Sequence, residues 1–166
     1  FTIPGSVTNI GIRAFYYCTS LTAITVNADN SNYASVDGVL FDKSLTTLIQ
    51  CPGGKAGSYT MPGSVTSVGH SALSYCASLE SVTIGSGVTN KGDSAFYDCT
   101  SLARVTVGNR VTSIGIVAFY RCTSLTSVTI PDSVTFIGVG AFNSCTSLTS
   151  ITIPNSVTSI QRHTFS

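Results

Sequence analysis

Hydrophobic and polar positions along this chain repeat in blocks of 23 residues. Each block contains a short stretch of alternating apolar and polar residues, such as Val-Thr-Ile at 128–130, and this alternation predicts a short β-strand. In the same block Ile137, Ala141, Cys145 and Leu148 are spaced by four, four and three residues. That spacing predicts that the four side chains share one face of a short helical turn. Each block therefore predicts one strand with a helical turn opposite it.

Apolar columns run through every copy of the block. One column is the valine of a Val-Thr pair, at Val7, Val65, Val88, Val111, Val134 and Val157. A second column is aromatic or leucine, at Phe15, Leu73, Phe96, Phe119, Phe142 and Phe165. A single block has too little apolar surface to offset the entropy of ordering its residues, so we expect neighbouring blocks to stack. Stacking turns the strands into a parallel sheet with one strand per coil.

Cysteine forms a column of its own. One cysteine occurs in each regular block, at Cys18, Cys76, Cys99, Cys122 and Cys145. We expect these residues to be buried free thiols, because stacked side chains point the same way and cysteine is usually buried. A disulfide between neighbouring coils is an alternative, and a metal site is another, although no Cys-x-x-Cys or nearby histidine supports it. Cys51 stands outside the column and is expected to be a semi-exposed thiol.

The repeat is interrupted once, between Cys18 and Cys76. Residues 27–58 predict an irregular repeat that carries a hairpin, with strands at 38–41 and 45–49 and a loop at 51–54. Regular repeats then occupy about 1–26 and 59–166 of a single array. Because both ends of the sequence fall inside a repeat, we expect the chain to be a fragment of a longer one.

The repeated pattern Ile-Pro-x-Ser-Val-Thr-x-Ile-Gly-x-x-Ala-Phe-x-x-Cys-x-Ser-Leu-Thr-x-Val-Thr-Ile resembles the BspA-like leucine-rich repeat family over nearly the whole chain. The predicted fold class is an α/β solenoid. In this solenoid a right-handed leucine-rich-repeat coil carries one short parallel strand per repeat and short helical turns on the opposite side. The resemblance implies a curved solenoid in a secreted or surface-attached protein, and family members that act as adhesins for matrix proteins or cells.

Charge and composition narrow the possible partners. Only 9% of the residues are charged and the net charge is +1, so no electrostatic footprint for nucleic acid is present. No apolar run approaches the roughly 20 residues of a membrane helix, so we expect no membrane insertion by this segment. The two histidines, His70 and His163, lie in different copies without a nucleophile beside them, and we expect neither enzyme activity nor a cofactor. The segment 27–32 superficially resembles a calcium loop, but it lacks the glycine and the acid at the sixth and twelfth positions.

The outward side of the predicted sheet holds the candidate contact residues. Hydroxyl side chains alternate there with buried valine and isoleucine, and Arg104 is the single charge in its column. The candidates for ligand contact are Thr25, Thr83, Arg104, Thr106, Ser127, Thr129, Ser150 and Thr152. The alternative is that threonine favours strands and keeps them soluble. Lys91 is an anomaly in a buried column, and its head group is expected to reach water near Asp93.

These observations predict an extracellular or cell-surface module for protein binding and adhesion, with a host matrix or cell-surface protein as its ligand. A structural segment of a surface fibre or stalk, which assembles end to end through uncapped repeats, is the alternative. A threonine lattice that binds ice is a more remote one.

Overall fold

The computed structural model describes residues 1–166, apart from the side chain of Lys91. For description we divide the chain into six coils, residues 1–25, 26–60, 61–83, 84–106, 107–129 and 130–152, followed by a last partial coil, 153–166. The strands, in chain order, are β1 (Thr2–Ile3), β2 (Thr25–Val26), β3 (Tyr33–Val36), β4 (Val39–Asp42), β5 (Thr47–Gln50), β6 (Gly57–Thr60), β7 (Ser67–Val68), β8 (Leu79–Thr83), β9 (Asn90–Lys91), β10 (Arg104–Thr106), β11 (Ser113–Ile114), β12 (Ser127–Thr129) and β13 (Phe136–Ile137).

The main sheet is parallel and contains β6, β8, β10 and β12, one strand from each of four consecutive coils. Its register is that of the repeat, so Val105 lies between Val82 and Val128. These valines are buried while the threonines that follow them are exposed. The alternation along the sequence therefore sets which side of the sheet faces the core, and the predicted parallel strand of these coils is confirmed.

A second side of the solenoid is also built from parallel strands. β5 pairs with β7, β7 pairs with β9, and β11 pairs with β13, all in parallel. These two-residue pairings follow the Val-Thr pairs of the sequence. The prediction of one strand per repeat therefore missed a second, shorter strand that coils 3 to 6 place on the adjacent side.

The predicted helical turns are wrong, because the described residues contain no helix. The segment from Gly69 to Cys76 is instead a series of overlapping turns, in which Ala72 N–H donates to Gly69 and Cys76 N–H donates to Leu73. Ser71 and Tyr75 adopt left-handed φ angles of 57° and 60°. Left-handed residues at every fourth position prevent i→i−4 bonding.

The intervening amides bond the next coil instead of their own turn. Leu73 N–H donates to Ala95 O at 2.9 Å, and Phe119 N–H donates to Ala141 O at 2.8 Å. Each of coils 3 to 6 is therefore joined to the following one on this side by backbone bonds. The period of four that suggested a helical face arises from this alternation of turns and cross-coil bonds.

The core is a spine of aligned side chains. The buried rings of Phe96, Phe119 and Phe142 and the exposed ring of Phe165 at the end of the row stack nearly parallel, with centroids 5.1 to 5.6 Å apart. Burial of this continuous apolar column against neighbouring coils supplies the stabilisation that a single coil lacks.

Coil 2 contains the irregular segment. β3, β4 and β5 form an antiparallel meander, and β5 joins the parallel side sheet through β7. The sequence predicted the two strands at 38–41 and 45–49 but not β3. Asn30 fixes the entry to this meander, since its buried amide donates to Pro4 O and Val7 O and accepts from Asn32 N–H and Tyr33 N–H.

Candidate binding surface

The outward side of β6, β8, β10 and β12 presents two straight rows of side chains, which we call the hydroxyl face. One row pairs Thr60, Thr83, Thr106 and Thr129 in register, and the other pairs Ser58, Ser81, Arg104 and Ser127. Ser81 Oγ donates to Ser58 Oγ at 2.8 Å. Arg104 is exposed and is the one charged member of these rows. The structure thus brings five of the predicted contact residues onto one surface, together with Ser58, Thr60 and Ser81.

Ser150 and Thr152 lie beside this face but not in its sheet. Their coil forms no strand next to β12, and a groove of about 360 Å³ separates the two segments. Ser127 and Thr129 line the near side of this groove. The two residues therefore extend the face as the wall of a groove, not as a fifth strand.

Thr25 is separated from the other candidates. It pairs with Thr2 in the two-stranded sheet of β1 and β2. The meander of coil 2 interrupts the column here, and Ile24 N–H donates to Gly38 O at 2.8 Å. Thr25 is exposed, but it belongs to another surface.

Beneath the hydroxyl face, Tyr59 replaces the valine of the other coils. Its ring is buried, and the ammonium of Lys55 lies 5.5 Å from the ring centroid. Burial, followed by the nearby Cys51 and Asp37, raises the pKa of Tyr59 above its ordinary value. Tyr59 is thus a neutral side chain that supports the sheet from below.

The cysteine column lies along the apolar core, and two cysteines differ from the prediction in their exposure. Cys76, Cys99 and Cys122 are fully buried, Cys145 is half-buried, and all six cysteines are free thiols. Cys51, predicted to be semi-exposed, is fully buried because its chain lies against Cys76, whose thiol approaches Pro52 O at 3.6 Å. Cys18, predicted to be hidden, is exposed.

Each interior thiol has a structural partner. Cys99 Sγ donates to Leu73 O at 3.0 Å, and Cys145 Sγ donates to Phe119 O at 3.1 Å. Burial raises the pKa of Cys99 well above the ordinary thiol value and raises the pKa of Cys145 to about 12. These thiols are therefore protonated donors that cap carbonyl groups of the preceding coil. Among the residues that the structure describes, no group of three or more His, Cys, Asp or Glu side chains could hold a metal ion.

A row of tyrosines follows the turn side of the solenoid. Tyr97 and Tyr120 stack with centroids 4.9 Å apart, and Tyr75 connects them to Tyr16 and Tyr17 of coil 1 at 4.9 and 4.8 Å. Burial, then the hydrogen bond with Tyr16, raises the pKa of Tyr75. The rings cover one another, so this row mainly joins coil 1 to coil 3 past the irregular segment.

The segment 27–32, which superficially resembles a calcium loop in sequence, is a hydrogen-bonded loop, in which Asp29 N–H donates to Asn27 Oδ1 at 3.0 Å. The Lys91 side chain, predicted to approach Asp93, lies outside the described residues. His70 and His163 are both exposed, and His70 Nε2 lies 2.9 Å from Arg13 Nη2. Sequence reasoning missed this last pair because its members are 57 residues apart.

No helical segment in the described chain has the length and apolar character that crossing a bilayer requires.

A stack of coils that share one recurring motif and pair short parallel strands in register defines a leucine-rich-repeat solenoid. A family model described as a BspA type leucine rich repeat region matches in six copies over residues 1–56 and 53–166. The chain belongs to the BspA-type leucine-rich repeat family.

Solved structures agree with this assignment. The chain is similar to the pneumococcal vaccine antigen PcpA, with 33% identity and a TM-score of 0.88 over 93% of this chain and 38% of that one. It is similar to a leucine rich cell surface protein of Faecalibacterium prausnitzii, with 30% identity and a TM-score of 0.67 over 89% of this chain and 46% of that one. It is also similar to a leucine-rich repeat protein of T. pallidum, with 30% identity and a TM-score of 0.68 over 83% of this chain and 64% of that one. The chain thus spans less than two thirds of each of these proteins, and no curated protein matches it.

Proposed function

We propose that the chain is a non-enzymatic, cell-surface or secreted module that binds a protein ligand through the hydroxyl face. The observation that carries the proposal is the pair of in-register rows on four consecutive coils, open to solvent and interrupted by the single charge of Arg104. Backbone pairing holds these side chains on a rigid sheet, so little conformational entropy is lost when a partner binds.

Two further observations support this proposal. One relative of known structure is described as a cell surface protein and another as a vaccine antigen, and both descriptions fit exposure to a host. The groove beside β12 adds a concave margin to the otherwise regular face. Arg104 is the contact residue that we expect to be most sensitive, since arginine is enriched at the energetic centres of protein interfaces.

The test is binding of the purified chain to immobilised matrix proteins and to host cells, followed by variants. Thr106→Lys places an ammonium at the centre of the face and should weaken binding at least about tenfold, because the charge must be desolvated. Thr89→Lys is the matched control, since Thr89 is also exposed but lies outside the hydroxyl face. Binding that is undetectable across the panel, or that is equally affected by both variants, would refute the proposal.

A further inference from the structure

Coil 2 crosses the turn side of the solenoid by a shorter path than its neighbours. Leu48 pairs with Val68, and Gly57 pairs with Leu79. Between these positions coil 2 takes nine residue steps where coil 3 takes eleven. Coil 2 therefore lacks the full turn that coils 1 and 3 have at this level. The end of the extended strand β5 occupies the place of that turn.

The short path leaves a recess between coil 1 and coil 3. Its volume is about 480 Å³, within the range of small-ligand pockets. Residues 10–15 of coil 1 form one wall, Ile49 and Gln50 form the floor, and Gly69 and His70 form the opposite wall. The recess thus lies where a regular coil would place its turn between coils 1 and 3.

The walls carry backbone groups whose equivalents in coils 3 to 6 are paired. Ser71 N–H and Leu73 N–H of coil 3 donate to carbonyl groups of coil 4. Coil 1 has the same turn, with left-handed φ angles at Arg13 and Tyr17, so its Arg13 and Phe15 amides point towards the recess. Within the described residues neither amide has a backbone acceptor.

The opposite wall shows the complementary pattern. In the next coil Asp93 O accepts from Ser71 N–H, and the carbonyl at the same position of coil 3 is that of His70. No backbone donor among the described residues reaches His70 O, while Cys51 N–H covers the neighbouring Ala72 O at 2.7 Å. The recess thus has an edge of donors facing an edge with a free acceptor.

The rim is cationic and apolar. The guanidinium of Arg13 lies 5.0 Å from the centroid of the Tyr16 ring, and its Nη2 lies 2.9 Å from His70 Nε2 of the opposite wall. It has no carboxylate partner in the described part of the chain. Ile12, beside it, is 89% exposed. An arginine without a carboxylate partner next to exposed aliphatic surface favours a ligand with one carboxylate and apolar neighbours.

We propose that this recess binds a peptide segment that carries an acidic side chain and adopts the turn conformation of the regular coils. The carbonyl groups of the segment would accept from the Arg13 and Phe15 amides, as carbonyl groups of coil 4 accept from Ser71 and Leu73. An amide of the segment would donate to His70 O, and its carboxylate would bind the Arg13 guanidinium. This site is separate from the hydroxyl face and does not depend on the function proposed for that face.

The probe is a heptapeptide that copies residues 92–98 of the chain itself, Gly-Asp-Ser-Ala-Phe-Tyr-Asp. In the protein this segment lies between the same two kinds of edge, and its first aspartate occupies the column of His70 and Ile12. The peptide is titrated into the full chain while backbone amide NMR signals are followed. We expect shifts at Arg13, Phe15 and His70 and a dissociation constant below about 1 mM. The absence of shifts at several millimolar peptide would overturn the proposal.

Variants locate the site and test its charge preference. Arg13→Asp reverses the charge at the rim of the recess, suits the left-handed backbone and should weaken binding at least tenfold. Arg121→Asp is the matched control, since Arg121 is also exposed and left-handed but does not line the recess, and it should bind normally. Arg13→Asn also suits the left-handed backbone and should remove the preference for the peptide over its Asp-to-Asn analogue. Normal binding by Arg13→Asp, or equal binding of both peptides by the unaltered chain, would contradict the assignment.

Discussion

Replacing Asn30 by alanine should loosen coil 1 while the rest of the array stays folded. The side chain is fully buried and makes four hydrogen bonds of 2.8 to 2.9 Å, two to carbonyl groups of coil 1 and two from amides of its own loop. Each such bond contributes a net of about 1 kcal/mol, and buried groups that lose a partner add a penalty. Because Pro4 is exposed and its carbonyl can gain water, we expect a local loss of about 2–4 kcal/mol.

Hydrogen exchange is the appropriate assay, because repeat arrays open locally. Amides of residues 1–26 should lose protection in Asn30→Ala, and those of coils 4 and 5 should keep it. Asn30→Asp tests the donor half alone, since the introduced carboxylate would face the carbonyl groups of Pro4 and Val7. Because one oxygen of this carboxyl would then face two carbonyl groups in place of a donor, Asn30→Asp should lower the protection of residues 1–26 at least as much as Asn30→Ala does.

Asn32→Ala is the matched control for this experiment. Asn32 is exposed and its amide makes a single bond to coil 1, to Thr8 O. Its replacement should change protection of coil 1 by less than about 1 kcal/mol. Equal protection in Asn30→Ala and the unaltered chain would refute the idea that this buried amide joins the first two coils.

Three other changes test the packing of the solenoid. A Cβ on Gly108 would lie 2.3 Å from Gly85 O, so Gly108→Ala should cost about 2–3 kcal/mol in urea unfolding, whereas Gly85→Ala, with open space around it, should cost less than about 1 kcal/mol. Burial tends to raise the pKa of Asp42, but four hydrogen bonds to its carboxylate outweigh burial and lower the pKa. The stability that this carboxylate gives to β4 and β5 should therefore be present above about pH 4 and be lost in acid. Hydrogen exchange of β4 and β5 should show no such acid-dependent loss in Asp42→Asn. In the native chain a thiol reagent at pH 8 should react rapidly only with exposed Cys18, and all six thiols should react after denaturation; rapid reaction of Cys99 would contradict the buried column.

The strands of the hydroxyl face were predictable because alternation and repetition act together. The Val-Thr-Ile pattern at 128–130 gives the side that faces the core, and its recurrence every 23 residues gives the partner strand. Register then follows without further information, since Thr106 must lie beside Thr83 and Thr129 when coils stack in phase. Ser150 and Thr152 share this pattern, yet the alternation could not reveal that their coil leaves the sheet.

The turn side was not predictable from periodicity alone. Ile137, Ala141 and Cys145 recur at the interval of a helical face, but left-handed residues at every fourth position produce the same interval. The left-handed positions include Val117 and Tyr75, residue types that rarely adopt this conformation, so the sequence gives no warning of the turn. Bonds to the neighbouring coil compensate for the local strain, and they exist only once the coils are stacked.

The recess between coils 1 and 3 depends on an irregularity of the repeat. A perfect repeat pairs every amide of one coil with a carbonyl of the next, so its surface differs only in side chains. The extra residues between Cys18 and Cys76 change this, because the meander returns to the array in β5 by a path that is two residues short. Backbone edges without backbone partners, the Arg13 guanidinium, which has no carboxylate partner in the described residues, and exposed Ile12 then occur together at one place. In a solenoid of this kind, an interruption of the period is therefore the sequence signal by which a binding site on the backbone can be sought, while the regular columns indicate only the side-chain surfaces.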